Sequence, residues 1–250
     1  MNIRTLTLTL STAALLTTNT QAAFHLMQIE EIIGGVAGDN TAQAIQLRLR
    51  SAGNNIVSSS SIWAADASGS NRVLLLDIGA NVAVSSAGAR VLLSTASFTT
   101  KMNSTGGPAF SPDFTLASAI PASYLSGGRV TFEADGGSVS TPGTIYWSLT
   151  FGSYSGSNTG DVTNDSDGNF GSPTSALTTS TFKGVRFTGA ANAASTTNVA
   201  DYAATSDPAT VTKNNGTAFT VVPEPGSAAF IGLGALAMFG VFSRRRRAQS

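Results

Sequence analysis

The run Ala44-Ile45-Gln46-Leu47-Arg48-Leu49-Arg50 alternates apolar and polar side chains, and successive side chains of a β-strand point to opposite faces. It predicts a half-buried antiparallel strand, with Ile45, Leu47 and Leu49 toward a core and Gln46, Arg48 and Arg50 toward water. Ile145 to Phe151 repeats the pattern, placing Ile145, Trp147, Leu149 and Phe151 on one face. Further runs of strand character are Phe24 to Ile33, closed by Gly34-Gly35, and Arg90 to Ser94, Arg129 to Glu133 and Ala218 to Val222. Val73 to Ile78 is nearly continuous in apolar residues, the pattern of a strand buried on both faces. Ile56-Val57 and Ile62-Trp63 make a weaker strand interrupted by Ser58 to Ser61, and Phe182, Val185, Phe187 and Tyr202 mark short ones.

The connections are equally informative. Asp135-Gly136-Gly137 is suited to a hairpin turn. Thr99 to Ser126 and Ser153 to Ser180 are rich in Ser, Gly, Pro and Asn and predict two long loops, the first with a short turn or helix near Ala117 to Leu125. Eight or so short strands without a long amphipathic helix predict an all-β chain, an antiparallel, Ig-like β-sandwich with long loops.

Both ends stand apart from this pattern. Asn2-Ile3-Arg4 precede a short apolar stretch, Leu6 to Leu16, and then the small-residue site Thr20-Gln21-Ala22-Ala23, the order of a cleaved signal peptide over residues 1–23. Residues 24–221 then form the ectodomain. Residues 222–250 are a tail in three parts: Pro223-Glu224-Pro225, an uncharged apolar run from Gly226 to Phe242, and Arg244-Arg245-Arg246-Arg247. Seventeen helical residues cover about 25 Å, near the lower limit for a transmembrane helix. Four arginines directly behind the run place the C-terminus on the cytoplasmic side. The two prolines hold the segment before it extended, open to an enzyme at the membrane surface.

Charge and cysteine content narrow the function. Between the terminal segments, nine Lys and Arg face 13 Asp and Glu, a net charge of about −4. So few cations, with no basic patch outside the tail, argue against nucleic-acid binding. The absence of cysteine excludes thiol catalysis, Cys-ligated zinc and disulfide stapling, so stability must come from an apolar core.

The tail resembles the PEP-CTERM sorting signal of Gram-negative bacteria in all three parts: Pro223-Glu224-Pro225, the hydrophobic segment and Arg244 to Arg247. That resemblance implies processing near the triplet by exosortase, an integral-membrane cysteine transpeptidase-like enzyme. It also implies a host that makes exopolysaccharide and lives in biofilms. The implied route runs from an inner-membrane anchor, with the ectodomain in the periplasm, to the cell surface or extracellular matrix. The ectodomain is similar in element order to lamin-tail-like domains, through Glu30-Glu31, Gly38-Asp39, Gln43 to Leu47, Trp63 and Gly88 to Leu93. Gln46-Leu47 stands where those domains carry Glu-Leu, and the Gly-Trp before the third strand is absent. This likeness implies an Ig-fold interaction module and brings no catalytic residues.

Little else suggests chemistry. His25, the single histidine, falls next to the cleavage site. Asp161 to Asn169 is the best metal candidate, a weak calcium loop with Asp165, Asp167 and Gly168 at positions 3, 5 and 6. Thr163 and Thr174 occupy its anchor positions, however, so a solvated Asx-rich turn is the simpler reading. Glu30 and Glu31, adjacent on a strand, should point to opposite faces and make a poor catalytic pair. Glu133 and Asp135 read as solvated edge residues. Trp63, Trp147, Tyr124, Tyr146 and Tyr154 are candidates for a sugar-stacking platform, with Trp147 packed in the core and Tyr146 and Tyr154 freer to be exposed. These observations predict an exported, non-enzymatic surface or matrix protein with no cofactor, partnered by exosortase, the membrane and exopolysaccharide. A carbohydrate-binding or adhesion module is the alternative, and a secreted hydrolase a distant third.

Overall fold

The computed structural model describes residues 26–104, 107–161, 168–193 and 197–222. The signal-peptide segment, His25 and the tail from Pro223 onward lie outside the described residues, as do Asp165 and Asp167. The fold is all-β. Its strands are β1 (Met27–Ile33), β2 (Ala44–Leu49), β3 (Ser60–Asp66), β4 (Arg72–Ile78), β5 (Arg90–Ser94), β6 (Phe114–Thr115), β7 (Gly127–Ala134), β8 (Ile145–Gly152), β9 (Val185–Phe187), β10 (Tyr202–Ala204), β11 (Thr210–Thr212) and β12 (Ala218–Thr220). One helix, α1 (Ala96–Ser104), and a 3-10 turn (Ala122–Tyr124) complete the described elements.

The strands form a six-stranded sheet in the order β10-β9-β1-β2-β5-β6, a four-stranded sheet β4-β3-β7-β8, and a separate two-stranded ribbon, β11-β12. Pairings within these sheets are antiparallel except β5 with β6. The two larger sheets face each other across one apolar core. Met27, Ile29, Ile32, Ile45, Leu47, Leu49, Val91 and Leu93 meet Ile62, Ala64, Leu75, Val130, Phe132, Trp147, Leu149 and Phe151. Trp147 is the centrepiece. Its indole packs against Phe170 and Phe187, with centroids 5.8 and 5.6 Å apart, and its Nε1 donates to the Tyr202 hydroxyl at 2.8 Å.

A third layer covers the outer face of the six-stranded sheet. Ile33, Ala44 and Leu92 of that face pack with Phe98 and Met102 of α1 and with Phe110, Ala209, Val211 and Val221. The helix forms because Thr95 Oγ1 accepts from the Phe98 N–H at 3.2 Å, an N-terminal cap, and because Phe98 and Met102 stand four residues apart on one face.

This layering corrects several sequence expectations. Gln46, Arg48 and Arg50 do not face water but are buried, since the outer face of β2 is an interior surface. Val73 to Ile78 is an edge strand with Leu74 exposed, because β4 has a strand neighbour on one side alone. Ser60 and Ser61 do not interrupt β3 but begin it, paired on both sides with Ile78, Asp77, Ala134 and Glu133. The first long loop contains most of α1, which begins at Ala96.

Candidate functional site: the C-terminal ribbon and its buried ionic seat

The alternation of β1 is broken once. Across from β2, Ile29 pairs with Leu47 and Glu31 with Gln46, so Glu30 is the extra residue of a β-bulge. A bulge sets two residues against one and rotates the strand locally. Ile29 and Ile32 both enter the core, and the two glutamates between them share the outer face. The expectation that Glu30 and Glu31 point apart is therefore wrong, and strict two-residue parity fails here because of the inserted residue.

Each carboxylate is paired with arginine. Glu30, 2% exposed, accepts from Arg90 Nε at 2.7 Å and Arg90 Nη2 at 2.9 Å, lies 3.3 Å from Arg48 Nη1, and accepts from Gln46 Nε2 at 2.7 Å. Arg48 Nε also donates to Gln28 Oε1 at 2.8 Å, tying three strands together. The Arg90 guanidinium is held above its ordinary pKa by its hydrogen bonds to Glu30, and burial lowers that of Arg48.

Glu31, 1% exposed, is bonded through Oε2 by Arg186 of β9, whereas its Oε1 has no hydrogen-bond partner among the described residues. A Cβ at Gly184 would lie 2.6 Å from Oε1, so the close approach needs glycine. Burial outweighs the neighbouring Arg186 and raises the Glu31 carboxyl from 4.5 to about 7. Between those values the folded state keeps a proton that the unfolded chain releases, so this group makes stability fall as pH rises from about 4.5 to 7. Equilibrium denaturation should show the protein more stable at pH 5 than at pH 8 by an amount on the order of 3 kcal/mol from this group. Glu31→Gln should flatten that slope; an equally steep slope in the variant would assign the pH dependence elsewhere.

The same polar seat grips the ribbon. Gln46 Oε1 accepts from the Thr212 N–H at 2.5 Å, and Arg186 Nη2 donates to the Thr210 carbonyl. At the ribbon's turn, Asn214 receives the Val84 N–H at 2.7 Å, donates through Nδ2 to the Val84 and Arg90 carbonyls at 3.1 and 3.0 Å, and donates its own N–H to Asp113 at 2.8 Å. Open clefts of about 330 and 390 Å³ flank this turn. Arg90 and Ser86 line the first, and Asn81, Asp113 and Phe114 the second, with Lys213, Asn214 and Asn215 shared by both.

The other residues singled out from the sequence are dispersed. Glu133 is not solvated but fully buried, paired with Arg72 at 2.6 Å and accepting the Gly143 N–H at 2.9 Å. Asp135 is exposed. Trp63 lies buried beneath the Arg72 guanidinium, 4.4 Å from its ring centroid. Trp147 is in the core, as its strand parity predicts. Tyr154 is buried, its hydroxyl donating to the Ser157 carbonyl at 2.7 Å, contrary to the expectation of exposure. Tyr124 and Tyr146 are half-buried, so the five aromatics do not assemble into an exposed platform. The ends of the calcium-loop candidate are drawn together by the Gly160 N–H donating to the Gly168 carbonyl at 2.7 Å and by pairing of Thr159 with Asn169. Asp161 is half-buried, its N–H bonded to the Ile145 carbonyl at 2.8 Å. Among the described residues no group of three or more His, Cys, Asp and Glu is placed to hold a metal ion.

The sequence did not reveal Arg48, Arg90, Arg186 and Gln46 as one network, nor β11. An Arg or Gln at every second position opposite Glu30-Glu31 was the available signal, readable as pairing rather than as solvation.

The ribbon delivers the chain to its tail. The Val221 N–H bonds the Ala209 carbonyl at 2.9 Å and its side chain is fully buried, after which Val222 is 37% exposed. Among the described residues no helix is long and apolar enough to cross a membrane, and the apolar run Gly226 to Phe242 lies outside them. No curated protein and no solved structure matches the chain. Residues 221–247 match the family described as the PEP-CTERM protein-sorting motif, so the segment that leaves the ribbon is a PEP-CTERM sorting motif and the chain is a carrier of it.

Proposed function

We propose that this is a non-enzymatic surface or extracellular-matrix protein, exported, sorted by exosortase, and associated with the exopolysaccharide of a biofilm. The observation that carries the reading is the sorting motif at residues 221–247, joined directly to a folded β domain. Within this reading, residues 1–23 are the signal peptide, residues 226–242 the transmembrane anchor and Arg244 to Arg247 its cytoplasmic stop. The domain waits in the periplasm until cleavage near Pro223-Glu224-Pro225 frees it for the cell surface. A non-catalytic role is supported by the use of Glu30, Glu31 and Glu133, each bonded to arginine inside the fold. The Ig-like, lamin-tail-like character fits a domain whose two main sheets enclose one core.

Saccharide binding is the second reading. It is favoured by the two open clefts beside Lys213, Asn214 and Asn215, whose lining includes amide, hydroxyl and cationic groups suited to sugar hydroxyls and carboxylates. Both readings can be tested on one sample, the protein recovered from the cell surface or medium. Mass spectrometry should show a C-terminus near Pro223 to Pro225, and sugar analysis should show co-purifying polysaccharide. Mature protein ending at Ser250 would sink the sorting reading, and a sugar-free preparation the polysaccharide one.

A further inference from the structure

Two polar anchors of the ribbon are the cross-strand neighbours of a single residue. Glu31 pairs with Gln46 of β2 on one side and with Arg186 of β9 on the other. Gln46 Oε1 accepts the Thr212 N–H at 2.5 Å, and Arg186 Nη2 donates to the Thr210 carbonyl. β11 therefore crosses the outer face of the sheet from β9 to β2, above Glu31, with the fully buried Val211 between the two anchored residues.

The carboxylate beneath this strand is incompletely solvated by the protein. Its Oε2 accepts from Arg186 Nε at 2.8 Å, and its Oε1 has no hydrogen-bond partner among the described residues. Gly184, whose Cβ would lie 2.6 Å from Oε1, donates its N–H to Thr205 Oγ1 at 2.9 Å instead. The charges acting on the group are Arg186 from β9, Glu30 from β1 itself and Arg90 from β5. Arg48 of β2 is paired with Glu30, and β11, which reads Thr-Val-Thr, brings no charge. Burial penalises a carboxylate with one oxygen unmet far more than it penalises the neutral acid.

We propose that Glu31 is a proton-operated latch for the ribbon: β11 and β12 stay seated while its carboxyl carries a proton, and ionisation favours their lifting from the sheet. The proposal does not depend on the sorting reading, and its failure would leave that reading untouched. Lifting β11 opens Oε1 to water, which solvates the charged form and does little for the neutral one. Arg186, 35% exposed, can remain beside the carboxylate when its hold on Thr210 is lost. Seated, the carboxyl is held by burial at about 7, and hydrated it returns toward 4.5. Lifting therefore releases a proton between those values, so the latch holds fully below pH 4.5 and is lost as pH rises to about 7, with no further change above. The ribbon is the element able to respond. Its two strands are three residues each and pair with one another apart from the larger sheets, which belongs to the low-stability end of a fold, where local opening occurs without global unfolding.

The test is amide hydrogen exchange of the full-length chain in nonionic detergent, read by mass spectrometry and corrected for the intrinsic exchange rate at each pH. Peptides covering Ala209 to Val221 report the ribbon, and peptides covering β8 report the sandwich. The ribbon should exchange faster than β8, its opening should rise about tenfold or more between pH 5 and pH 7, and it should stay level from there to pH 9. Glu31→Gln, which cannot ionise, should remove the rise. Ribbon opening that changes by less than about twofold across this range would overturn the latch, as would a rise that persists in Glu31→Gln. Ribbon protection equal to that of β8 at every pH would overturn it too, since the opening would then be global. Should the variant not fold, the wild-type profile decides alone: a rise confined to the span below pH 7 upholds the latch, and any other profile overturns it.

Discussion

Replacing Glu30 with alanine is expected to lower the unfolding free energy by about 3–5 kcal/mol, the usual cost of stripping one partner from a buried ion pair. The carboxylate is the shared acceptor for Arg48, Arg90 and Gln46. Without it Arg90, whose side chain is 36% exposed, can turn toward water, but Arg48, at 10%, cannot. The loss is therefore dominated by one stranded guanidinium. Glu30→Gln keeps an acceptor oxygen and should cost less. Replacing Glu30 and Arg48 together with methionine should recover much of the stability, because an apolar pair of similar size carries no desolvation cost. Urea denaturation of the four proteins checks the order. A double variant as unstable as Glu30→Ala would show that packing at these positions, not the stranded charge, sets the cost.

Trp147→Ala should be comparably damaging, again about 3–5 kcal/mol, and should lower the melting midpoint by roughly 10 °C or more in a domain of this size. The indole is fully buried and joins both sheets: it meets Phe187 of β9 and Phe170 of the second long loop, and it donates to Tyr202 of β10. The Tyr202 hydroxyl passes the bond on to the Ile29 carbonyl at 2.5 Å, next to the bulge. Burial pushes that hydroxyl well above its ordinary pKa, so it remains a donor throughout the accessible pH range. Trp147→Phe fills most of the volume but leaves the hydroxyl without its donor, and should cost a smaller amount, about 1–2 kcal/mol. Calorimetry distinguishes the two. A Phe variant as unstable as the Ala variant would shift the emphasis from packing to the hydrogen-bonded chain.

The sequence made the sandwich legible where one face of a strand is apolar. Ile45, Leu47 and Leu49, and Trp147, Leu149 and Phe151, lie in the core as alternation requires. It misled where the second face is also covered. Gln46 and Arg48 look solvated because polarity was read as exposure, yet they are buried against Glu30 and the ribbon. Alternation reports which residues differ in polarity, not which polar residues find partners. Parity itself failed at Glu30-Glu31 because nothing in a one-dimensional pattern marks a bulge. The helix at Ala96 to Ser104 had a readable signature in Thr95 with Phe98 and Met102, but the surrounding Ser, Thr and Gly obscured it. β11 and β12, three residues each, are defined by pairing and by their seat on the sheet rather than by intrinsic preference. The sorting motif was legible because its three parts are compositional and ordered, and the family match covers them.

The internal pairing of arginines also shapes how the domain meets other molecules. Arg48, Arg72, Arg90 and Arg186 each face a buried carboxylate, and Arg129 spends its guanidinium on Ser148 and the Thr159 carbonyl. A chain with only 11% charged residues thereby turns much of its cationic charge inward. What solvent meets is therefore a sparse, net acidic surface, since none of the described aspartates is buried and the span between the terminal segments carries about −4. Long-range attraction from such a surface favours cationic partners over anionic ones and weakens as salt rises.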